Sequence, residues 1–122
     1  MPIFVVHEHH AKNLHYDLRL QVGGVLKSWA VPKQPPRTKE FKRLAIQVED
    51  HTLSYANFEG EIPEGQYGAG RVKIWDKGTF KFEEKTPEKL VIDFKGKILK
   101  GKYALIKTKY GDRENNWLFF KI

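Results

Sequence analysis

No cysteine occurs among the 122 residues. That removes disulfides, thiolate metal sites and cysteine nucleophiles together, and leaves histidine and carboxylate as the available metal ligands. No apolar run approaches the roughly 20 residues that a membrane-spanning helix needs, and the first residues lack the pattern of a secretory signal. Helical periodicity is almost missing, as are internal repeats, low-complexity segments and any linker that would divide the chain. The expectation is one soluble, cytoplasmic domain spanning residues 1–122, long enough for one core and too short for two.

What the chain does have is positive charge. Twenty-two Lys and Arg stand against 15 Asp and Glu, a net +7, and 13% of residues are aromatic. That balance suits a partner carrying phosphates. A lysine-rich surface gives the same excess without any nucleic acid, so charge alone does not decide between them.

Apolar and β-branched runs recur at close spacing. Residues 3–6 read as a first strand, followed by a polar, turn-like HEHHAKN. Residues 14–22 and 25–31 read as a hairpin about Gly23-Gly24. Trp29 is expected in the core. Three prolines make 32–38 an irregular basic loop, ordered or flexible. Residues 43–49 form a fourth strand with Leu44, Ile46 and Val48 on one face, broken by Asp50-His51-Thr52. Residues 58–62 are a short extended piece. Residues 71–76 and 79–84 read as a hairpin about Lys77-Gly78, and Thr86-Pro87-Glu88 as the start of a short helix. Residues 90–94, 97–99, 103–108 and 117–122 complete the strands, with a polar loop at 110–116. About nine short strands with one or two short helices predict an all-β fold, a small antiparallel barrel or sandwich.

The stretch HHAKNLHYDLRL carries the most chemistry. From Leu14 the alternation puts Leu14, Tyr16, Leu18 and Leu20 on one face and His15, Asp17 and Arg19 on the other. The polar three project side by side, about 7 Å apart at the Cα atoms. Imidazole and carboxylate suit a divalent transition metal, and guanidinium suits a pair of phosphate oxygens. His9 precedes His15 by six residues, room enough for a turn to return it as a third ligand. A metal beside a phosphate clamp makes a phosphoester-cleaving site. The same face also fits a solvated sheet surface with an Asp–Arg pair, and the His7, His9 and His10 cluster fits either a metal site or an exposed loop. The glycine-rich PEGQYGAG lacks the GK[ST] ending of a phosphate loop and reads as a tight corner. Glu59, Glu61 and Glu64 beside it read as structural or solvated.

Taken in order, His9, HYDLRL (15–20), LKSWAVPK (26–33), EDH (49–51) with Tyr55, FEGEIP (58–63) and YGAG (67–70) resemble one family, the 3′-phosphoesterase domain of bacterial DNA ligase D, also found as a stand-alone protein. The resemblance spans residues 3–122. It implies a small β-barrel with its site in a crescent-shaped groove. It also implies an enzyme that uses Mn²⁺ or a similar metal, such as Co²⁺ or Zn²⁺, to heal 3′ ends in non-homologous end joining. Such an enzyme removes a 3′-terminal ribonucleoside and then the 3′-phosphate from a primer-template. By position, His9, His15 and Asp17 match metal ligands. Arg19, His51 and Tyr55 match the catalytic groups about the scissile phosphate, and Lys33 and Arg43 match further phosphate-binding residues. His7 stands where many members have Gln and His10 where many have Ala, while His9 keeps its spacing to His15. The first strand is expected almost at residue 1, without the N-terminal extension of ligase-fused members. The implied partners are nucleic acid and, separately, a ligase and a polymerase; a monomer with no membrane contact is expected. A non-catalytic basic nucleic-acid-binding barrel would explain the charge and aromatics equally well, but not the spacing of His9, His15 and Asp17.

Overall fold

The computed structural model describes residues 1–66, 68–108 and 115–122. Tyr67 and most of the expected 110–116 loop lie outside the described residues. Nine strands run β1 (Ile3–His10), β2 (Leu14–Val22), β3 (Val25–Val31), β4 (Lys42–Thr52), β5 (Gly60–Ile62), β6 (Gly70–Lys85), β7 (Lys89–Lys95), β8 (Lys100–Lys107) and β9 (Asn116–Lys121). Among the described residues a single 3-10 helix, Leu53–Asn57, follows β4. All pairings are antiparallel, in the order β1-β2-β3-β4-β9-β8-β7-β6, and a β1–β6 pairing closes the ring. Eight strands therefore make a closed barrel, with β5 added along the free edge at the start of β6. Closure removes the exposed edges that a sheet of this length would otherwise present.

Strict alternation sorts the side chains. Tyr16, Leu18 and Leu20 of β2 point inward, as their spacing predicts, and join Phe4, Val6, Trp29, Val31, Phe80, Ile92, Phe94, Tyr103, Leu105, Trp117 and Phe119 in the core. Eight strands enclose just enough room for side chains to fill. Leu14, at the strand end, stays exposed. The opposite faces of β1, β2 and β3 look outward, and a smaller apolar cluster of Val5, Leu26 and Ala56 seats the 3-10 helix on them. That outer layer covers the polar face of HYDLRL.

Several local expectations are corrected. The HEHH segment is strand, not turn: β1 continues to His10 because it is paired on both edges, by β2 and by β6. β4 likewise continues through Asp50-His51-Thr52. Residues 71–84 are not a hairpin but one 16-residue strand. Its turn signal is overridden by Asp76, whose buried carboxylate accepts the N–H groups of Lys77 and Lys97 on Oδ1 and of Ile98 and Leu99 on Oδ2. The 97–99 segment is accordingly the β7–β8 turn rather than a strand. A Cβ on Gly96 would collide with Asp76 and Phe4, so glycine is required there. Thr86 starts no helix. Its hydroxyl accepts the N–H groups of Glu88 and Lys89 and so closes the β6–β7 turn. The proline loop is anchored over one barrel mouth, with Pro35 and Pro36 buried and the Tyr103 hydroxyl donating to the Pro36 carbonyl at 2.7 Å.

Candidate active site

β1 and β2 are adjacent and antiparallel, so the register alone brings His9 opposite His15 and His7 opposite Asp17. His9, His15, Asp17 and Arg19 then share the outer face, and with Ala11, Ala30, Val48, His51, Tyr55, Ile62 and Gly68 they line a cleft of about 300 Å³.

His9 Nδ1 lies 3.4 Å from Asp17 Oδ2, and His15 Nε2 lies 3.4 Å from Asp17 Oδ1. One ligand atom from each residue falls within 4.8 Å of the others. The far nitrogen of each ring faces a backbone carbonyl: His9 Nε2 to Gly68 at 2.8 Å and His15 Nδ1 to Asn13 at 3.1 Å. A carbonyl can only accept, so both protons sit on those far nitrogens. In the neutral rings, the two near nitrogens therefore aim lone pairs at an anionic carboxylate. Three electron-pair donors facing one another need a cation or a proton between them. The hydrogen bonds to Gly68 and Asn13 are the outer partners that fix ring tautomer in histidine metal sites. Two imidazoles and a carboxylate suit Mn²⁺, Co²⁺ or Zn²⁺, so the residues present fit the metal that the family resemblance implies.

Burial alone would raise the Asp17 carboxyl, but hydrogen bonds from the His15 and His9 rings, when a second proton occupies their near nitrogens, and the Arg19 charge outweigh it and hold it well below the usual carboxylate range. The hydrogen bond to Asp17 pushes the His15 imidazole up. Asp17 is therefore ionised throughout the physiological range.

Arg19 is 4% exposed and held on three sides. Its Nε donates to His7 Nδ1 at 3.1 Å, Nη1 to Ser28 Oγ at 2.8 Å and Nη2 to Asp17 Oδ2 at 3.3 Å. Three of the five guanidinium N–H bonds are thus committed, leaving one on each Nη for a ligand in the cleft. The guanidinium also lies over the Tyr55 ring, 4.9 Å from its centroid.

His7 stands out in the sequence only as one of a cluster, and Ser28 only as a member of the LKSWAVPK block, with no role attached to it. His7 is fully buried, its Nε2 donating to the Phe58 carbonyl at 3.1 Å. Burial and the neighbouring Arg19 charge bring its pKa down to about 4. It is therefore neutral and free to accept from Arg19. The available signal is position, since His7 lies two residues before His9 on the same face of a strand.

His51 reaches the cleft through an irregularity. Ser28 pairs with Val48 but Leu26 pairs with His51, so three steps on β4 match two on β3. This bulge resets the alternation and turns His51 to the same side as Val48. His51 stacks on Tyr55 (centroids 4.6 Å apart), and Tyr55 on Phe58 (5.0 Å). Burial, then the Arg19 charge, lowers the His51 imidazole, and burial raises the Tyr55 phenol. Both therefore carry their neutral forms near pH 7.

Lys33 and Arg43 are not in this cleft. They line a separate depression of about 290 Å³ with Pro32, Lys42 and Leu44, towards the barrel mouth. Arg43 Nε donates to the Gln34 carbonyl at 2.9 Å, and its guanidinium stacks on Phe41. His10 contacts Glu8 rather than the cluster. The glycine corner does more than turn the chain, because the Gly68 carbonyl orients His9.

Residues 7–107 match the DNA ligase D 3′-phosphoesterase domain. The chain belongs to that family. This 3′-phosphoesterase domain is 48% identical, over 98% of its length, to the multifunctional non-homologous end joining DNA repair protein LigD of Mycobacterium tuberculosis. It is 46% identical over 94% to LigD of Mycolicibacterium smegmatis, and 45% identical over 97% to that of Pseudomonas aeruginosa. It spans only 15–16% of those relatives. Among the described residues no helix is long and apolar enough to cross a membrane.

Proposed function

We propose that this domain is a metal-dependent 3′-end-healing phosphoesterase of DNA repair. It removes a 3′-terminal ribonucleoside and then the remaining 3′-phosphate from a primer-template, leaving a 3′-hydroxyl for a polymerase or ligase supplied separately, and it acts as a monomer. The observation that carries this reading is the convergence of two tautomer-fixed imidazoles and an ionised carboxylate beside a guanidinium with two N–H bonds to spare.

His9, His15 and Asp17 would hold Mn²⁺, or Co²⁺ or Zn²⁺ in its place. When bound, such an ion neutralises phosphate charge and lowers the pKa of a bound water. Arg19 grips a non-bridging oxygen through its two remaining N–H bonds, already oriented by His7, Ser28 and Asp17 and so costing little reorganisation. Tyr55 donates its hydroxyl to the phosphate. His51, stacked on Tyr55, donates an imidazole N–H to charge developing on the phosphate or the leaving oxygen. Lys33 and Arg43, at the far end of the β3–β4 ladder, hold a neighbouring backbone phosphate.

The test is a primer-template with one 3′-terminal ribonucleotide, incubated with and without Mn²⁺. Stepwise conversion to a 3′-phosphate and then a 3′-hydroxyl, only with metal, is expected. Tight binding with no trimming under any metal would replace this reading with the non-catalytic barrel, and cutting of circular DNA would replace it with an internal nuclease.

Two further results are expected. Arg19→Lys loses the planar fork and three buried hydrogen bonds, so kcat/KM falls about 100-fold or more, on the scale of one missing transition-state donor. Metal affinity measured by calorimetry changes little, and retained activity would remove Arg19 from the mechanism. For His51, whose imidazole is held below the ordinary histidine value by burial and then by the Arg19 charge, a role as neutral donor leaves kcat/KM flat from about pH 7 to 8. A continuous fall in kcat/KM as pH rises through that range, absent in His51→Gln, would make it a general acid instead.

A further inference from the structure

We infer that Phe58 is a positioning residue for the phosphate clamp, fixing Arg19 through its carbonyl and the Tyr55–His51 pair through its ring. The inference rests on reading the cleft as a phosphoesterase site. It deepens that reading by giving a role to the first residue of FEGEIP, which the chemistry itself leaves unused.

Phe58 directly follows the 3-10 helix, and its backbone is held on both sides. Its N–H donates to the Tyr55 carbonyl at 3.1 Å and closes the helix. One residue later the Glu59 carboxylate accepts the Ile74 N–H at 2.9 Å, tying the segment to β6. The chain then enters β5, which pairs with β6 from Gly60 to Ile62. A residue fixed before and after itself is a firm reference for the groups that touch it.

Two of its contacts lead into the clamp. The Phe58 carbonyl faces His7 Nε2 at 3.1 Å. A carbonyl only accepts, so the proton stays on Nε2, and Nδ1 keeps the lone pair that takes the Arg19 Nε–H at 3.1 Å. The other tautomer would set one N–H against another. The Phe58 ring lies nearly parallel to that of Tyr55, with 11° between planes and 5.0 Å between centroids. Tyr55 also stacks with His51 and carries the Arg19 guanidinium over its ring, while the His7 ring meets it edge-on at 5.3 Å. Arg19, Tyr55 and His51 are therefore each one or two contacts from Phe58. The core does not account for this ring. Among the described residues Phe58 is half-buried and belongs to neither apolar cluster, the barrel interior or the layer of Val5, Leu26 and Ala56. An aliphatic side chain would cover that spot, but parallel stacking needs a flat ring. Such alignment matters because a misplacement of about 1 Å can cost about 100-fold in rate.

The experiment compares the wild-type domain with Phe58→Leu, which keeps apolar volume and loses the ring, and with Phe58→Tyr, which keeps the ring. Trimming of the primer-template is measured beside calorimetric binding of inorganic phosphate to the Mn²⁺-loaded domain. Phe58→Leu should lower kcat/KM about 10–100-fold. It should weaken phosphate about 10-fold, the scale of one charge-assisted hydrogen bond, and change Mn²⁺ affinity little. Phe58→Tyr should stay within about 3-fold of wild type on both counts. On a Tyr55→Ala background Phe58→Leu should cost under about 3-fold more, because its route runs through the missing ring. On a Lys33→Ala background, in the separate depression, the full loss should persist. For the carbonyl, ¹⁵N NMR of the wild type should show His7 protonated on Nε2 and bare on Nδ1, and the reverse tautomer would overturn that arm. A wild-type rate in Phe58→Leu, an equal loss in Phe58→Tyr or an undiminished loss on the Tyr55→Ala background would overturn the role of the ring. If Phe58→Leu does not fold, the ringless Phe58→Met takes its place. If the wild type trims 3′ ends and Phe58→Leu trims them equally well, only this positioning falls. If phosphate binding depends on the ring but nothing is trimmed, the proposed activity falls and the positioning stands.

Discussion

Asp17→Asn should abolish turnover, by about 1,000-fold or more, and weaken metal binding by at least 100-fold. Asp17 is the common neighbour of His9, His15 and Arg19. The amide matches its shape but carries no charge, so the two imidazole lone pairs lose the anion that completes the donor set. Loss of a ligand itself exceeds the 10–100-fold cost of losing only an outer hydrogen-bond partner. The change also leaves the Arg19 guanidinium, 4% exposed, without its counter-charge, a defect that typically costs 3–5 kcal/mol when the pair is fully buried. Titration calorimetry with Mn²⁺, beside single-turnover trimming, measures both effects. Near-normal metal affinity would mean that the three residues are not a metal site. Because the Asp17 carboxyl is held below its unfolded value, its contribution to stability is fully present above about pH 4 and disappears as pH falls below that. The variant should therefore lose less stability on acidification than the wild type.

Asp76→Asn has the largest expected effect on the fold. Each carboxylate oxygen accepts two backbone N–H groups, at 2.7–3.2 Å. Asparagine presents an oxygen to one pair and an NH₂ to the other, so two buried donors meet a donor. Hydrogen bonds to a buried charge contribute about 1.5–3 kcal/mol each, and an unsatisfied buried group costs about 1–3. A loss of about 3–5 kcal/mol is expected, which lowers Tm by roughly 10–20 °C in a domain of this size. Thermal unfolding followed by circular dichroism tests it, and a shift under about 3 °C would mean that the turn holds itself.

The same residue shows where the sequence stops being legible. The hairpin 14–31 can be read to its ends, because its alternation and its Gly-Gly turn agree with each other and depend on nothing distant. The stretch around Asp76-Lys77-Gly78 carries equally good turn residues. Its outcome is decided by N–H groups some 21–23 positions later, which no local pattern contains. β1 is half legible for a related reason: polar residues on both faces of HEHH look like loop until two neighbouring strands pair with it. In the site, His9, His15, Asp17 and Arg19 can be read from spacing, and all four line one cleft. His51 comes from the family resemblance alone, since alternation counted from Val48 places it on the wrong side without the bulge. Ser28 and His7 support Arg19 through contacts between strands that a linear pattern does not show.

The long strand β6 also dictates an order of assembly. β1–β4 form one meander, with short turns between β1, β2 and β3 and the proline loop before β4, and β6–β9 form another, so most pairing is local to one half. Among the described residues two seams join the halves: β4 with β9, and β1 with the first part of β6. Each requires closure of a loop of about 60 residues or more (His10 to Arg71, Ile46 to Asn116), entropy that must be surrendered before contacts reward it. The first meander carries His9, His15, Asp17, Arg19 and His51, and can bring them together before either seam forms. The carbonyl that locks His9, from Gly68, lies just ahead of β6 and arrives with the β1–β6 seam. In kinetic terms, the donor set should assemble early and acquire its fixed tautomer late, in the same step that closes the barrel.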